Sequence, residues 1–580
     1  MKIAQTGWAR WVDLDDVPVS ESVVDRCTTD ALQEALKRLS GVGPEGVGLD
    51  GVKVVSSRVN RTGEFRPPAV VSLGSTATEP PPFTGLPDFC EVLLRHRTPG
   101  DHVVETFVWV PLRWNGRFLG TVGAGSRTLQ WHDLEYIRNL TMPNALRNGF
   151  ATAATDGGNR DARPFDWPLR PDTGELDREL VRNWAYRGTH EMTVIAKAVI
   201  EALYGRPPEF SYLAGCSGGG RQVLAHTQRY PDDYDGYWAA DPAVDWARTI
   251  PAGLWPALVM NVLGNPLPPA KLEAFRVAAV EACDGVDGLP DGFIGAFDPC
   301  AFDPAKAVGE PTGAGPITED DAEVMRRIWA GPRRSDGSAL WHGLRPGTRS
   351  WGDNGLCGTA EVDGVLTPMP FWLATAHFRW VLEDPDFDWR TLTFERYEEL
   401  FDQGVRDLAE FVAEDPDLTG LHHRGAKLII SQAVDDEILP YPGIVDYFRQ
   451  AVATTGGEER TASFARLFLS DGDRHSFSTG LGPGLTIGGV LAALMRWVEH
   501  GEAPDRLVAE RHDPTTGAVL ATRPVYPYPE VTRYSGAGEP TEAASYTRSG
   551  PDPLPSRSQQ GWPRRQTAAR RDPGKPGGER

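Results

Sequence analysis

Hydrophobic and polar positions follow two periods along this chain, and the places where the period changes divide it. Short runs rich in β-branched and aromatic residues read as strands at 103–110 (V-V-E-T-F-V-W-V), 118–125 (F-L-G-T-V-G-A-G) and 149–155 (G-F-A-T-A-A-T). Residues 184–204 switch to the helical period, with Met192, Ile195, Ala196, Val199 and Leu203 on one face, until Gly205, Pro207 and Pro208 stop it. A short apolar run at 212–214 follows at once. Strand, helix, strand is the alternation of an α/β fold with a parallel sheet. The first 60 residues read instead as short polar helices and turns.

The alternation stops after a glycine-rich elbow at 215–219 and the helix that follows it to 229. From 242 to 420 the chain is rich in Pro, Gly, Trp and Asp, which predicts an inserted lid domain. The core pattern resumes with K-L-I-I-S at 427–431 and A-R-L-F-L at 465–469. A closing helix is predicted over 485–500, with Ile487, Val490, Leu491, Leu494 and Val498 on its apolar face. Beyond 536, Gly, Pro, Ser and Arg dominate, so that segment is expected to be disordered. The expected division is therefore 1–241 and 421–535 for the two parts of the core, 242–420 for the lid and 536–580 for the tail. No internal repeat is visible.

Chemistry enters at residues 215–219, G-C-S-G-G, which fit G-x-S-x-G. In that pattern a serine, here Ser217, sits on a strained turn between strand and helix. The flanking glycines leave room where a helix packs closely behind the turn. A helix beginning at Gly218 would aim free N–H groups at a reacting ester oxygen. Acidic and histidine candidates stand at the ends of the resumed strands, in A-V-D-D-E at 433–437 and S-D-G-D-R-H at 470–475. In α/β-hydrolases the order is Ser, then Asp or Glu, then His. Ser217, Asp435 or Asp436, and His475 satisfy that order. A neutral imidazole can take the serine proton while a carboxylate fixes its tautomer.

Composition narrows the partners. The 580 residues carry a net charge of -21, with 40% hydrophobic and 24% charged residues. That acidity argues against nucleic acid and anionic membranes as partners. No run approaches the ~18 apolar residues of a membrane helix, and residues 1–17 lack the apolar stretch of a secretory signal. The six cysteines (Cys27, Cys90, Cys216, Cys283, Cys300, Cys357) are too few and scattered for a disulfide-built scaffold, and no C-x-x-C pair suggests zinc. In C-D-G-V-D-G-L-P-D-G at 283–292, three carboxylates separated by glycines can wrap one hard cation. The loop lacks the length and final Glu of an EF-hand.

Several longer motifs carry a resemblance. W-N-G-R-F at 114–118, G-F-A-T-A-A-T-D-G-G at 149–158 and the segment 190–208 stand before the elbow. S-Y-L-A-G-C-S-G-G-G-R-Q at 211–222, R-Y-P-D-D-Y-D-G at 229–236, the acidic loop at 283–292 and W-V-E-H-G-E-A-P-D at 497–505 follow. Over about residues 20–546 the chain resembles the tannase and feruloyl esterase family. The resemblance implies an α/β-hydrolase core with a large lid, and serine-dependent hydrolysis of small-molecule esters of hydroxylated aromatic acids. It implies Ser217 as nucleophile and His475 as base. An ungapped match makes Asp436 the acid, while matching Ile438 to the family's later Ile would give Asp435. Asp436 is preferred, because a gap inside a buried strand would flip its faces. The implied oxyanion hole is the backbone N–H of Gly218 and of Gly125.

The resemblance also implies a structural calcium held by Asp284, Asp287 and Asp291 and the carbonyls of Leu289 and Phe293. It pairs Cys283 with Cys300 and Cys27 with Cys90. The family's bridge between the Cys before the Ser and a Cys after the His is missing, since Ser476 follows His475. Tyr526 stands where another family Cys is usual. These losses and the absent signal segment suit a cytoplasmic location, against which Cys27 and Cys90 argue. Trp351, Trp372 and Phe378 are candidate aromatic walls for the acyl group, with the lid core as their ordinary alternative. Acyl transfer on the same triad, and a non-catalytic binding relative, are the other readings.

Overall fold

The computed structural model describes residues 12–39, 49–67, 82–128, 141–159, 163, 165–296, 300–352, 355–475, 480–513 and 515–550. Its frame is one nine-stranded sheet. The strands are β1 (Lys53–Asn60), β2 (Phe89–Thr98), β3 (His102–Pro111), β4 (Arg117–Thr121), β5 (Ala151–Thr155), β6 (Phe210–Cys216), β7 (Gly236–Ala240), β8 (Lys427–Ala433) and β9 (Ala465–Ser470), in the order β1-β2-β3-β5-β4-β6-β7-β8-β9. From β5 to β9 every neighbouring pair is parallel. The β1, β2, β3 and β5 pairings are antiparallel.

The expected parallel sheet thus continues into an antiparallel edge. β1 lies within the 60 residues read as helices and turns. Its sequence K-V-V-S-S-R-V-N buries only Val54 and Asn60, the polar dress of an edge strand that resists further pairing. β6 to β9 differ in kind. They are buried along nearly their whole length, as strands covered on both faces must be.

Helices cover the sheet. α1 (Gly188–Tyr204) buries Met192, Ile195, Ala196, Val199 and Leu203, and Gly205 ends it in the left-handed region at φ 74°. A π-helical turn, Asn183–Arg187, precedes it. α2 (Gly218–Arg229) leaves the end of β6 without an intervening loop. The closing helix spans Ile487–His500.

β7 and β8 are neighbours in the sheet, yet residues 241–426 separate them in the chain. That segment holds helices Trp255–Leu263, Pro269–Cys283, Glu319–Ala330, Trp372–Leu382 and Phe394–Asp407, with an apolar core of its own built from Leu258, Phe275, Met325, Phe378, Tyr397 and Leu400. The chain stays ordered past the expected boundary at 536. Val531–Tyr534 pairs with Tyr546–Ser549, and the buried Val531 and Tyr546 anchor a mostly polar hairpin. Residues 551–580 lie outside the described residues. Disulfides join Cys27 to Cys90 and Cys283 to Cys300, while Cys216 and Cys357 are free and buried.

Candidate active site

The parallel half of the sheet delivers four loops to one edge. Register places Cys216 beside Ala240 and Ala433 beside Ser470, so the chain leaves β6, β7, β8 and β9 on the same side. The carboxyl ends of parallel strands are where α/β folds put their sites.

Ser217 follows β6 at φ 61° and ψ -123°, a conformation rare for a residue with a side chain. Backbone bonds hold it there. Its N–H donates to the Ala240 carbonyl at 2.9 Å, and its carbonyl accepts from Arg221 at 3.0 Å and from Ala243 at 3.1 Å. The glycines answer to contact. A Cβ on Gly219 would strike the Gly123 carbonyl, and one on Gly215 would stand 2.7 Å from the Gly219 backbone. Gly218 and Gly125 are also brought together, because a Cβ on Gly218 would lie 2.7 Å from the Gly125 amide nitrogen. Arg221, wholly buried, stacks 4.0 Å over Trp184 and donates to the carbonyls of Ala185 and Phe411, tying α2 to its surroundings.

His475 lies in the loop after β9, and its Nδ1 is 2.7 Å from Asp436 Oδ2 in the loop after β8. The two candidate acids separate here. Asp436 is fixed by N–H groups of Ile438 and Leu439 on Oδ1, at 2.9 and 2.8 Å, and by the Gln432 amide on Oδ2 at 3.0 Å. Asp435 turns toward the lid, where it meets Thr348 at 3.4 Å and Arg345 at 3.9 Å. Burial pushes the Asp435 carboxyl up to about 6. Burial alone would lower the pKa of His475, but the Asp436 carboxylate, joined by Asp241 and Glu437, raises it well above the ordinary value.

A family model described as tannase and feruloyl esterase matches residues 90–549. The chain belongs to the tannase and feruloyl esterase family. A probable feruloyl esterase of Arthroderma benhamiae is 36% identical, over 79% of this chain and 85% of that one. A mono(2-hydroxyethyl) terephthalate hydrolase of Piscinibacter sakaiensis is 31% identical, over 80% and 85%. These relatives are carboxylic ester hydrolases, and so is this member of the family. Among solved structures, an esterase from Aspergillus oryzae has a TM-score of 0.72 at 23% identity, covering 91% of this chain and 100% of that one. Tannin acyl hydrolase from Aspergillus niger gives 0.73 at 20%, covering 90% and 96%. The fold is that of an α/β-hydrolase.

Two residues beside the candidate triad are absent from the sequence-derived candidates. Glu437 accepts from the His475 N–H at 3.2 Å and from Arg474 at 2.7 Å, so it grips the histidine loop from β8. Asp241, at the end of β7, accepts from the Ala433 N–H at 2.7 Å and faces both Asp436 and His475. The available signals were Asp241, directly after the strand that follows the nucleophile helix, and the third carboxylate of the D-D-E run at 435–437. Ser476 lies outside the described residues.

The acidic lid loop is arranged around its first carboxylate. Asp284 accepts from the N–H groups of Asp291 and Gly292 at 3.1 and 2.8 Å, and Gly288 and Gly292 turn the chain at φ 89° and 97°. Leu289 and Phe293 are buried. Asp291 also pairs with Arg523 at 2.5 Å. The Asp287 side chain lies outside the described residues. The loop's far end reaches the histidine loop: Phe293 packs on Gly472, and the Ala296 N–H donates to Asp471 at 2.6 Å. Of the candidate aromatic walls, Phe378 and Trp351 belong to the lid's core. Trp372 is half-buried and stacks on Phe165 at 4.5 Å.

Proposed function

We propose that this enzyme hydrolyses esters of hydroxylated or other aromatic acids through an acyl-enzyme on Ser217. The observation that carries the reading is the 2.7 Å contact from His475 Nδ1 to a fully enclosed Asp436, delivered to the sheet edge that also bears the strained Ser217. With Nδ1–H donated to Asp436, the His475 base is Nε2. It takes the Ser217 proton as Oγ adds to the ester carbonyl. The carbonyl oxygen becomes an oxyanion, received by the N–H groups of Gly218 and Gly125. Collapse of that intermediate returns the proton to the leaving alcohol and leaves an acyl-Ser217. Water, deprotonated by the same nitrogen, then releases the acid and restores the serine. The raised proton affinity of His475 favours the imidazolium that forms in both steps.

The aromatic acyl group is supported by the relatives, whose names specify feruloyl and terephthalate esters, with a tannin acyl hydrolase sharing the fold. Assays on gallate, ferulate and terephthalate esters test it, with Ser217→Ala as control. Turnover that survives the substitution would rule the mechanism out. A competing alcohol separates hydrolysis from acyl transfer by its products.

We propose further that the lid loop holds a hard cation. Asp284, Asp287 and Asp291 with the carbonyls of Leu289 and Phe293 are oxygen donors of the kind calcium takes, and the ion would supply structural charge neutralisation there. The positive charge of Arg523 on Asp291 shares that task. The two disulfides favour an oxidising compartment over the cytoplasmic location expected from the sequence.

A further inference from the structure

Asp241 is a buried carboxylate that the mechanism above does not use. It follows β7, the strand between the nucleophile strand and the acid strand, and it is 4% exposed. Its backbone is in the left-handed region at φ 38°. Its N–H donates to the Ser431 carbonyl at 2.8 Å, and its Oδ1 accepts from the Ala433 N–H at 2.7 Å, so main chain and side chain both clasp the end of β8. Its Oδ2 is 4.0 Å from the thiol sulfur of Cys216, the residue before the nucleophile. One oxygen of Asp241, one of Asp436 and one ring nitrogen of His475 lie within 4.8 Å of one another.

We propose that Asp241 is a positioning residue with two tasks: it joins the ends of β6 and β8, and it acts as a second anionic partner that favours the protonated form of His475. The proposal rests on the reading of His475 as the base.

The groups around the cluster fix the sign. Asp436 and Glu437 come from the loop after β8, Asp473 and Arg474 from the loop after β9, and Cys216 from the end of β6. Asp435, farther out, is held by Arg345. Burial raises the pKa of Asp241, Asp436 raises it further, and His475 opposes them; the net is upward. A proton added at His475 therefore stabilises the Asp241 anion, and the Asp241 anion holds the proton on His475. Removing the Asp241 charge must let His475 lose its proton at lower pH. A carboxylate that served only to join two strands would alter rate and stability without moving that titration.

The test needs no knowledge of the substrate. An alkyl fluorophosphonate adds to Ser217 Oγ with loss of fluoride, and the proton passes to His475. The rate of labelling is measured against pH in the wild-type chain, in Asp241→Asn and in Asp241→Ser. Asn tolerates a positive φ and keeps an acceptor for the Ala433 N–H; Ser keeps an oxygen without the same shape. The result is read from whichever variant circular dichroism shows folded. The expected result is a midpoint lowered by about one pH unit. A folded variant labelled more slowly at every pH, with its midpoint unmoved, would overturn the proposal. A wild-type chain that takes no label at any pH would overturn the reading of Ser217 and His475 itself.

Discussion

The two halves of the candidate active site are held in place by different means. The Ser217 half is held by backbone. Main-chain bonds to Ala240, Arg221 and Ala243 fix the turn, and Gly215, Gly218 and Gly219 press against main chain with no space for a Cβ. The His475 half is held by side chains from distant parts of the chain. Asp436 and Glu437 reach it from β8, and Phe293 and Ala296 of the lid loop brace Gly472 and Asp471 beneath it. A backbone-held turn cannot change without steric conflict. A side-chain-held loop can loosen by degrees, and that difference is testable.

The largest effect should come from the His475–Asp436 contact that the proposed mechanism uses to orient the base. Asp436→Asn offers His475 Nδ1 an amide in place of a carboxylate and should cut kcat by about 10⁴-fold with the fold intact. Asp435→Asn should change kcat by no more than a few-fold, since Asp435 faces Thr348 and Arg345. Equal losses in the two variants would show the acid to be misassigned.

Next is the grip on the loop. Glu437→Gln keeps an acceptor for the His475 N–H but gives up the pairing with Arg474. It should lower kcat by about 10- to 100-fold through misplacement of the imidazole. No comparable graded loss is open to the elbow: Gly219→Ala should fail to fold or lose activity altogether, because its Cβ meets the Gly123 carbonyl.

The smallest effects are on stability. Calcium chelation should lower the melting temperature, and with it the order of the Phe293–Gly472 contact; an unchanged melt would remove the ion from the account. Opening the Cys27–Cys90 disulfide, whose loop spans 63 residues, should cost about 4 kcal/mol, read as a lower melting temperature in reductant.

The same contrast explains what could be read from the sequence. G-C-S-G-G is legible because a backbone-held turn writes its steric needs into consecutive residues. β6, β8, β9 and α1 were legible because each buries a continuous run or one face. The identity of the acid was not settled by pattern, since Asp435 and Asp436 are adjacent and differ only in where the chain turns after β8. Glu437 and Asp241 were invisible for a related reason: their meaning depends on β7, β8 and β9 lying side by side across the 241–426 insertion. β1 was missed because an edge strand carries polar residues where a buried strand carries valine and isoleucine. The hairpin ending at 549 was missed because only Val531 and Tyr546 are buried in a mostly polar segment.

The proposed mechanism makes Ser217 a nucleophile activated by His475 on Asp436. Reaction of the intact protein with an alkyl fluorophosphonate, followed by mass measurement and peptide mapping, tests it most directly. One adduct is expected, on Ser217, forming at least about 10²-fold more slowly in Asp436→Asn. A folded protein that takes no adduct, or takes it at the same rate without Asp436, would contradict it.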